Sequence, residues 1–398
     1  MSRFIISGGG TGGHVFPAIA IAQAIRKNEP EADILFIGAK GKMEMVKVPA
    51  AGFPIEGLTV AGLIRRATWK NLTFPFKLIG SLFKARSIIK KFNPDVVVGV
   101  GGYASGPTLR AATSMGKPAL IQEQNSYPGI TNRLLGKQVQ TICVTYDGMS
   151  DYFPKEKIVL TGNPVRKDLI ALPDHIPEAY RHFELDPDKQ TVLTMGGSGG
   201  ARAINESMLA LLEQGLPDGI QLLWQTGKHY FEEIMNQVQD SKFKIQGKSI
   251  QSSSHPASSI QHPVSSIQHR ASSIVPFIDR MDLAYSCADL VITRAGAIAI
   301  SELCVAGKPT ILIPSPNVAE DHQTKNALAL VDKEAAIMIS DNEAPTQLPA
   351  LISGLINDRK KLQQLSQNIK KMAINDAADR IVEEVFKLVH TKPEPNGS

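Results

Sequence analysis

Gly9-Gly10-Thr11-Gly12-Gly13 follows a β-rich run, Arg3–Ser7, and opens a helical pattern, Val15–Lys27. Gly196-Gly197-Ser198-Gly199-Gly200 stands in the same relation to Thr191–Met195 and Ala201–Gln214. Strand, glycine turn and helix in succession form the first unit of a doubly wound parallel sheet. Meeting that unit twice predicts an α/β chain of two Rossmann-like, doubly wound domains facing each other across a cleft. The turn-forming Gly162-Asn163-Pro164 breaks the pattern between them, so the expected domains are 1–163 and 164–373.

Outward from the loops, β-rich runs recur at Asp33–Ile37, Asp95–Val100, Ala119–Gln122 and Gln140–Thr145, then at Ile220–Trp224, Leu290–Thr293 and Thr310–Pro314. Helical stretches lie between them, the alternation of a parallel sheet covered on both faces. Residues 250–275 depart from it. There Ser-Ser-Ile-Gln-His recurs with prolines and serine pairs that oppose a helix, so the segment reads as a solvated low-complexity insertion. His255, His262 and His269 recur with it, but no carboxylate or thiol accompanies them to complete a metal site. Near the end, Ile381, Val385 and Val389 fall on one face of an amphipathic helix, followed by a frayed tail.

At 398 residues, 43% hydrophobic and 20% charged, the chain is long enough for two cores. Cys143, Cys287 and Cys304 form no CxxC pair, which fits a reducing compartment. No leader pattern and no apolar run of about 20 residues is present, so a cytoplasmic protein is expected. The net charge of +5 hides an asymmetry. Between Gly57 and Phe92 stand Arg65, Arg66, Lys70, Lys77, Lys84, Arg86, Lys90 and Lys91, and no acid. Leu72, Phe76, Ile79 and Phe83 fall at helical spacing among them. An apolar face rimmed by cations such as Lys84 and Arg86 suits an anionic membrane surface. The plainer alternative is a helix packed on the sheet. A nucleic-acid role lacks any stacking module or motif.

A glycine turn at a helix N-terminus presents backbone N–H groups to an anion, and two such turns strengthen a phosphate reading. Neither has the GKS or GKT ending of a P-loop. His14 follows the first loop, where a helix N-terminus favours the neutral imidazole that can accept a proton; a capping role stays open. Glu123 and Asn125, within Gln122-Glu123-Gln124-Asn125, follow a strand and so lie at the crevice end of the sheet. Glu302, one turn into a helix after Arg294-Ala295-Gly296-Ala297, can accept ribose hydroxyls. Asp321 is a candidate N-cap, which leaves Gln323 and Asn326 for sugar hydroxyls.

Taken together these segments resemble the MurG family of peptidoglycan N-acetylglucosaminyltransferases. The resemblance rests on Gly9–Pro17, Gly101-Gly102-Tyr103-Ala104-Ser105-Gly106-Pro107, Glu123-Gln124-Asn125, Gly162-Asn163-Pro164-Val165-Arg166, Gly196–Arg202, Phe277-Ile278-Asp279-Arg280-Met281, Arg294–Ala297, Ser301-Glu302-Leu303 and Asp321–Thr324. These run in order over nearly the whole chain. It implies a GT-B fold whose C-terminal helix, about 374–392, returns to the N-terminal domain. It implies a UDP-N-acetylglucosamine donor, an undecaprenyl-pyrophosphoryl-muramyl-pentapeptide acceptor and an inverting β-1,4 transfer in cell-wall synthesis, and a peripheral place on the cytoplasmic face of the inner membrane. Carried over, Ser198 and Gly199 would hold the diphosphate, Ile278 the uracil through its backbone and Glu302 the ribose. Ala297 and Gln323 would face the sugar. Thr11, Gly12, Gly13 and Asn125 would line the cleft from the other domain, with Arg166 near the nucleotide. His14 would be the base, with Glu123 beside it in the catalytic pair. No essential cofactor or metal is implied, and a divalent cation would at most stimulate.

Three departures bear on the donor and the base. Gln122 stands where the family often has histidine, Ile298 and Ile300 are bulkier than usual, and the insertion ends just before Phe277. Two other functions compete: a UDP-N-acetylglucosamine 2-epimerase-like enzyme, for which no N-terminal motif is found, and a non-catalytic sugar-nucleotide-binding scaffold, which donor turnover would exclude.

Overall fold

The computed structural model describes residues 1–60, 74–170, 172–240 and 272–390. They form two compact units, Met1–Arg166 with Ile374–Ser398, and Lys167–Ala373. Leu72, the three repeat histidines and most of the insertion lie outside the described residues, as does the side chain of Phe76.

The first unit is built on strands β1 (Arg3–Gly8), β2 (Asp33–Ala39), β3 (Ile55–Leu58), β4 (Val96–Gly101), β5 (Ala119–Glu123), β6 (Thr141–Val144) and β7 (Ile158–Leu160). They lie in the order β3-β2-β1-β4-β5-β6-β7. The second unit holds β8 (Gln190–Met195), β9 (Ile220–Gln225), β10 (Ser272–Val275), β11 (Leu290–Thr293), β12 (Thr310–Leu312) and β13 (Ile337–Met338), in the order β10-β9-β8-β11-β12-β13. Every pairing is parallel. In each sheet the order reverses next to its first strand, so the loops after β1 and β4, and after β8 and β11, stand at the switch point where such sheets bind ligands.

Consecutive apolar residues in a parallel strand serve two cores. In the first unit Phe4, Ile6, Val96 and Val98 pack against the helices Gly12–Asn28 and Ala377–His390. Ile5, Val97 and Ile121 pack on the other side with Ala85, Ile89 and Leu109. The C-terminal helix belongs to this unit: Ile381 and Val385 are buried in its core, and Phe386 meets Phe4 edge-on at 5.9 Å. The second unit's core gathers Val192, Leu222, Trp224, Ile274, Leu290 and Ile311. All three cysteines are buried thiols, and burial raises Cys287 and Cys304 to about 12.

One expectation needs correction here. The last copy of the repeat, Ser272-Ser273-Ile274-Val275, is a buried strand paired to β9, not part of a solvated insertion. Ile274 enters the core, and the small serines fit against the neighbouring strand.

Candidate active site

In the first unit the loop after β1 is braced from below. The Glu44 carboxylate is fully buried, accepting Gly10 N–H at 2.9 Å through Oε2 and Ala39 N–H at 2.9 Å through Oε1. Gly9 N–H donates to Gly101 O at 3.3 Å. Glycine is required because a Cβ on Gly9 would collide with Glu44, and one on Gly102 with the Gly9 carbonyl. A fixed negative charge that already takes a loop amide opposes a second anion. That charge sets the first loop apart from the second, whose support is uncharged. Thr11 is the N-cap of the helix Gly12–Asn28; it and Gly13 are exposed, and Gly12 is half-buried.

His14 lies in the first turn of that helix, its N–H bonded to Thr11 O at 3.1 Å. Its ring rests against Gly101, where a Cβ would sit 2.9 Å from both Cε1 and Nδ1. Nδ1 is 3.1 Å from Gln124 Oε1. Glu123 behaves differently from the expectation. It is 1% exposed and accepts four hydrogen bonds, from Asn125 N and Nδ2 at 3.1 Å, Gly129 N at 3.1 Å and Asn132 Nδ2 at 2.8 Å. Its lone pairs hold the loop that follows β5, so it positions that loop rather than moving protons, and it brings half-buried Asn125 to the same loop. Gln122 donates to Asn163 Oδ1 at 2.9 Å, so an amide, fully buried, stands where histidine was expected. Arg166 is half-buried at the end of this unit.

The second glycine loop has a different support. Gly197 and Gly200 have positive φ, and Gly200 N–H closes a turn on Gly197 O at 3.0 Å. Cβ atoms on Gly200 or Gly227 would collide with the opposite backbone. Beneath lies an amide, Gln225, at the end of β9 and 3% exposed. Its Nε2 donates to Gly197 O at 3.0 Å and its Oε1 accepts Ile278 N–H at 2.9 Å. No formal negative charge comes with this support. Ser198 and Gly199 are exposed ahead of the helix Arg202–Gln214. Arg202 lies 5.8 Å from the Tyr230 ring centroid and Lys228 lies 5.5 Å from that of Phe277. An exposed glycine turn, a helix N-terminus and nearby cations suit a diphosphate.

The remaining expected residues divide. The Ile278 amide is taken by Gln225, and Ile278 itself is buried. Glu302 is half-buried, with Tyr285 Oη donating to its Oε2 at 3.3 Å. Ala297 begins the helix Ala297–Ala306, and Ile300 is buried, so its bulk is directed away from solvent. Gln323 Oε1 accepts Ser315 N–H at 2.9 Å, leaving the amide's donor end to offer a sugar. Asn326 is fully buried and donates to Ala295 O at 3.3 Å, so it does not serve a ligand hydroxyl. Asp321, at the N-cap of His322–Val331, adopts φ 53 and accepts the Thr324 hydroxyl at 2.7 Å. Glu320 beside it has φ 56, and two successive non-glycine residues in this region store strain next to Gln323.

On the helix Phe74–Phe92, Ile79 is 53% and Phe83 68% exposed, while Ala85 and Ile89 are buried. The helix thus has an inward apolar stripe and an outward one. Lys84 and Arg86, expected as the outer rim, keep contact with solvent, Arg86 exposed and Lys84 half-buried, while each makes a surface hydrogen bond. Lys84 Nζ donates to Gly57 O at 2.9 Å and lies 3.7 Å from Glu56, and Arg86 Nη1 donates to Ser114 Oγ at 2.8 Å. Lys90 and Lys91 are exposed. No helix among the described residues is long and apolar enough to cross a membrane.

Two doubly wound parallel sheets, each with a glycine loop after its first strand, form a frame used by nucleotide-sugar enzymes, and the family matches fix the glycosyltransferase class. Residues 4–144 match the glycosyltransferase family 28 N-terminal domain and residues 191–381 its C-terminal domain. The chain is 51% identical over 99% of its length, and 98% of the relative's, to the UDP-N-acetylglucosamine–N-acetylmuramyl-(pentapeptide) pyrophosphoryl-undecaprenol N-acetylglucosamine transferase of Phocaeicola vulgatus. It matches the crystal structure of Acinetobacter baumannii MurG with TM-score 0.73 and 27% identity, covering 97% of this chain and 100% of that one. The chain belongs to glycosyltransferase family 28 and, within it, to the MurG family of N-acetylglucosaminyltransferases. A Neisseria meningitidis UDP-GlcNAc 2-epimerase bound to UDP-GlcNAc shares the fold alone, at 13% identity and TM-score 0.65 over 97% of this chain and 100% of that one.

Proposed function

We propose that this chain transfers N-acetylglucosamine from UDP-N-acetylglucosamine to the muramyl C4 hydroxyl of undecaprenyl-pyrophosphoryl-N-acetylmuramyl-pentapeptide, with inversion in one displacement. The reading is supported by the near full-length likeness to transferases of that name and by the placement of His14. His14 Nε2 takes the proton as the acceptor oxygen attacks the anomeric carbon and the bond from that carbon to the UDP oxygen breaks. The charge gathering on UDP is met by the Ser198–Gly200 turn and the N-terminus of the helix behind it. Glu302 receives the ribose, Ala297 and Gln323 the sugar, and Arg166 the nucleotide. On this reading no cofactor is needed, and added divalent cation at most stimulates.

The observation that carries the reading is an imidazole held at a switch-point loop with its Nδ1 on an amide oxygen. UDP release from UDP-N-acetylglucosamine, measured with and without the lipid-linked acceptor in detergent, tests it. Acceptor-dependent UDP and a β-linked disaccharide support it; donor binding without turnover would leave only a scaffold.

The lipid on the proposed acceptor calls for a membrane surface, taken here as the cytoplasmic face of the plasma membrane, and the outward Ile79 and Phe83 are the proposed contact, with the exposed Arg86, Lys90 and Lys91 as cations. Replacing Ile79 and Phe83 together by serine is expected to abolish co-flotation with anionic liposomes while leaving detergent-phase activity. Unchanged flotation would refute the patch.

A further inference from the structure

Beneath His14 runs a chain of three side-chain amides whose orientation is fixed at both ends by backbone. At one end, Asn163 Nδ2 donates to the Gln124 carbonyl at 3.1 Å. That turns Asn163 Oδ1 toward two donors, Gln122 Nε2 at 2.9 Å and Thr145 Oγ1 at 2.7 Å. Gln122, having spent its NH₂ group there, presents Oε1 to Gln124 Nε2. At the other end, Gln124 Nε2 also donates to the Val100 carbonyl at 2.8 Å and reaches the Gln122 carbonyl at 3.3 Å. A flipped Gln124 would set its oxygen against those acceptors in a site where Gln122, Gln124 and Asn163 are each no more than 2% exposed. An unmatched buried polar pair of this kind is costly. Only Oε1 of Gln124 therefore remains to face His14 Nδ1, at 3.1 Å.

An amide oxygen accepts and cannot donate. The partner of Gln124 Oε1 must then be Nδ1–H, and a neutral imidazole protonated at Nδ1 carries its basic lone pair on Nε2. We propose that Gln124, oriented by Gln122 and Asn163, is the positioning residue that selects this tautomer of His14. Gly101 completes the arrangement, because its lack of a Cβ leaves room for the ring beside the backbone. A neutral amide also does this without adding charge beside the ring, unlike a carboxylate partner. The inference rests on the reading of His14 as the base, but the tautomer itself belongs to the protein whether or not transfer occurs.

The test is a ¹⁵N spectrum of the full-length protein labelled in histidine, with the His14 signals identified by their loss in His14→Gln. Wild type is expected to show protonated Nδ1 and unprotonated Nε2 at neutral pH. In Gln124→Leu the population is expected to move toward Nε2–H. kcat is expected to fall by about tenfold or more, a part of the roughly 10²–10⁴-fold that proton transfer contributes. KM for UDP-N-acetylglucosamine should be unchanged, and the acid limb of the kcat/KM profile should move. Gln124→Glu keeps an acceptor for Nδ1–H and should hold the tautomer, at a cost in stability because its second oxygen would face the Val100 and Gln122 carbonyls. An Nε2–H tautomer in wild type, or a leucine variant with the wild-type tautomer, would overturn the proposal; the wild-type spectrum decides even if that variant fails to fold. A wild-type enzyme with the expected tautomer but no acceptor-dependent UDP release would instead strike down the proposed reaction.

Discussion

The loop Gly9–Gly13 lies on a buried carboxylate, Glu44, whereas Gly196–Gly200 lies on a buried amide, Gln225. Both follow the first strand of a parallel sheet and both open a helix. The supporting group makes them different instruments. Glu44 takes a loop amide from below and fixes the backbone shape of the first loop, which seats the His14 imidazole at the start of its helix. Gln225 grips the second loop through a carbonyl and adds no formal charge, which leaves that turn and its helix N-terminus fit for an anion. A glycine pattern specifies backbone shape; the group underneath decides what the shape can bind.

The largest expected effect separates chemistry from binding. His14→Ala should lower kcat by about 10²–10⁴-fold while UDP binding by calorimetry stays as in wild type; lost UDP binding would mean that the first loop serves the donor. Next comes Gly200→Ala, at φ 81 with a Cβ directed into Thr226 O. Backbone strain of about 1–3 kcal/mol, before the collision is counted, should weaken UDP binding and lower the unfolding midpoint together. Glu44→Gln should cost about 1–3 kcal/mol of stability, because an NH₂ group would confront a loop N–H. Denaturant unfolding would measure that loss, and UDP affinity should hold.

The smallest effect concerns a half-buried carboxylate with less support. Asp289 accepts one amide, Thr191 N–H at 2.7 Å, and burial raises its pKa above the ordinary carboxylate range. The folded state then holds this proton more tightly than the unfolded chain does. Its contribution is fully present below the unfolded pKa, about 3.9, and is lost as pH rises through the raised value. Asp289→Asn should therefore gain stability relative to wild type as pH rises over that window. A constant difference across the thermal melts would contradict the assignment.

The central strands were legible because they are buried on both faces and read as apolar runs, as in Val96–Val100. The strands not anticipated, β3, β7, β10 and β13, are the four sheet edges. They are two to four residues long, and Ser272–Val275 hides inside a serine-rich repeat. The glycine loops and His14 were legible from local order along the chain. Glu44 and Gln225 were not, since each braces a loop distant in sequence and neither sits in a motif. Gln225 had one signal, a polar residue ending the buried strand Ile220–Gln225. Glu123 and Gln124 stood in a conspicuous polar run, but composition cannot say which side chain turns toward its own loop and which toward the imidazole.

The division between the loops is tested most directly by placing one negative charge on each. A Cβ added at Gly199 would meet no atom within 4 Å and one at Gly13 none nearer than 3.8 Å, and neither residue has positive φ. Calorimetric titration of UDP into Gly199→Asp and Gly13→Asp, both confirmed as folded, is the measurement. The account predicts that UDP binding is lost in Gly199→Asp and retained in Gly13→Asp. Equal binding by the two variants, or loss in Gly13→Asp alone, would contradict it.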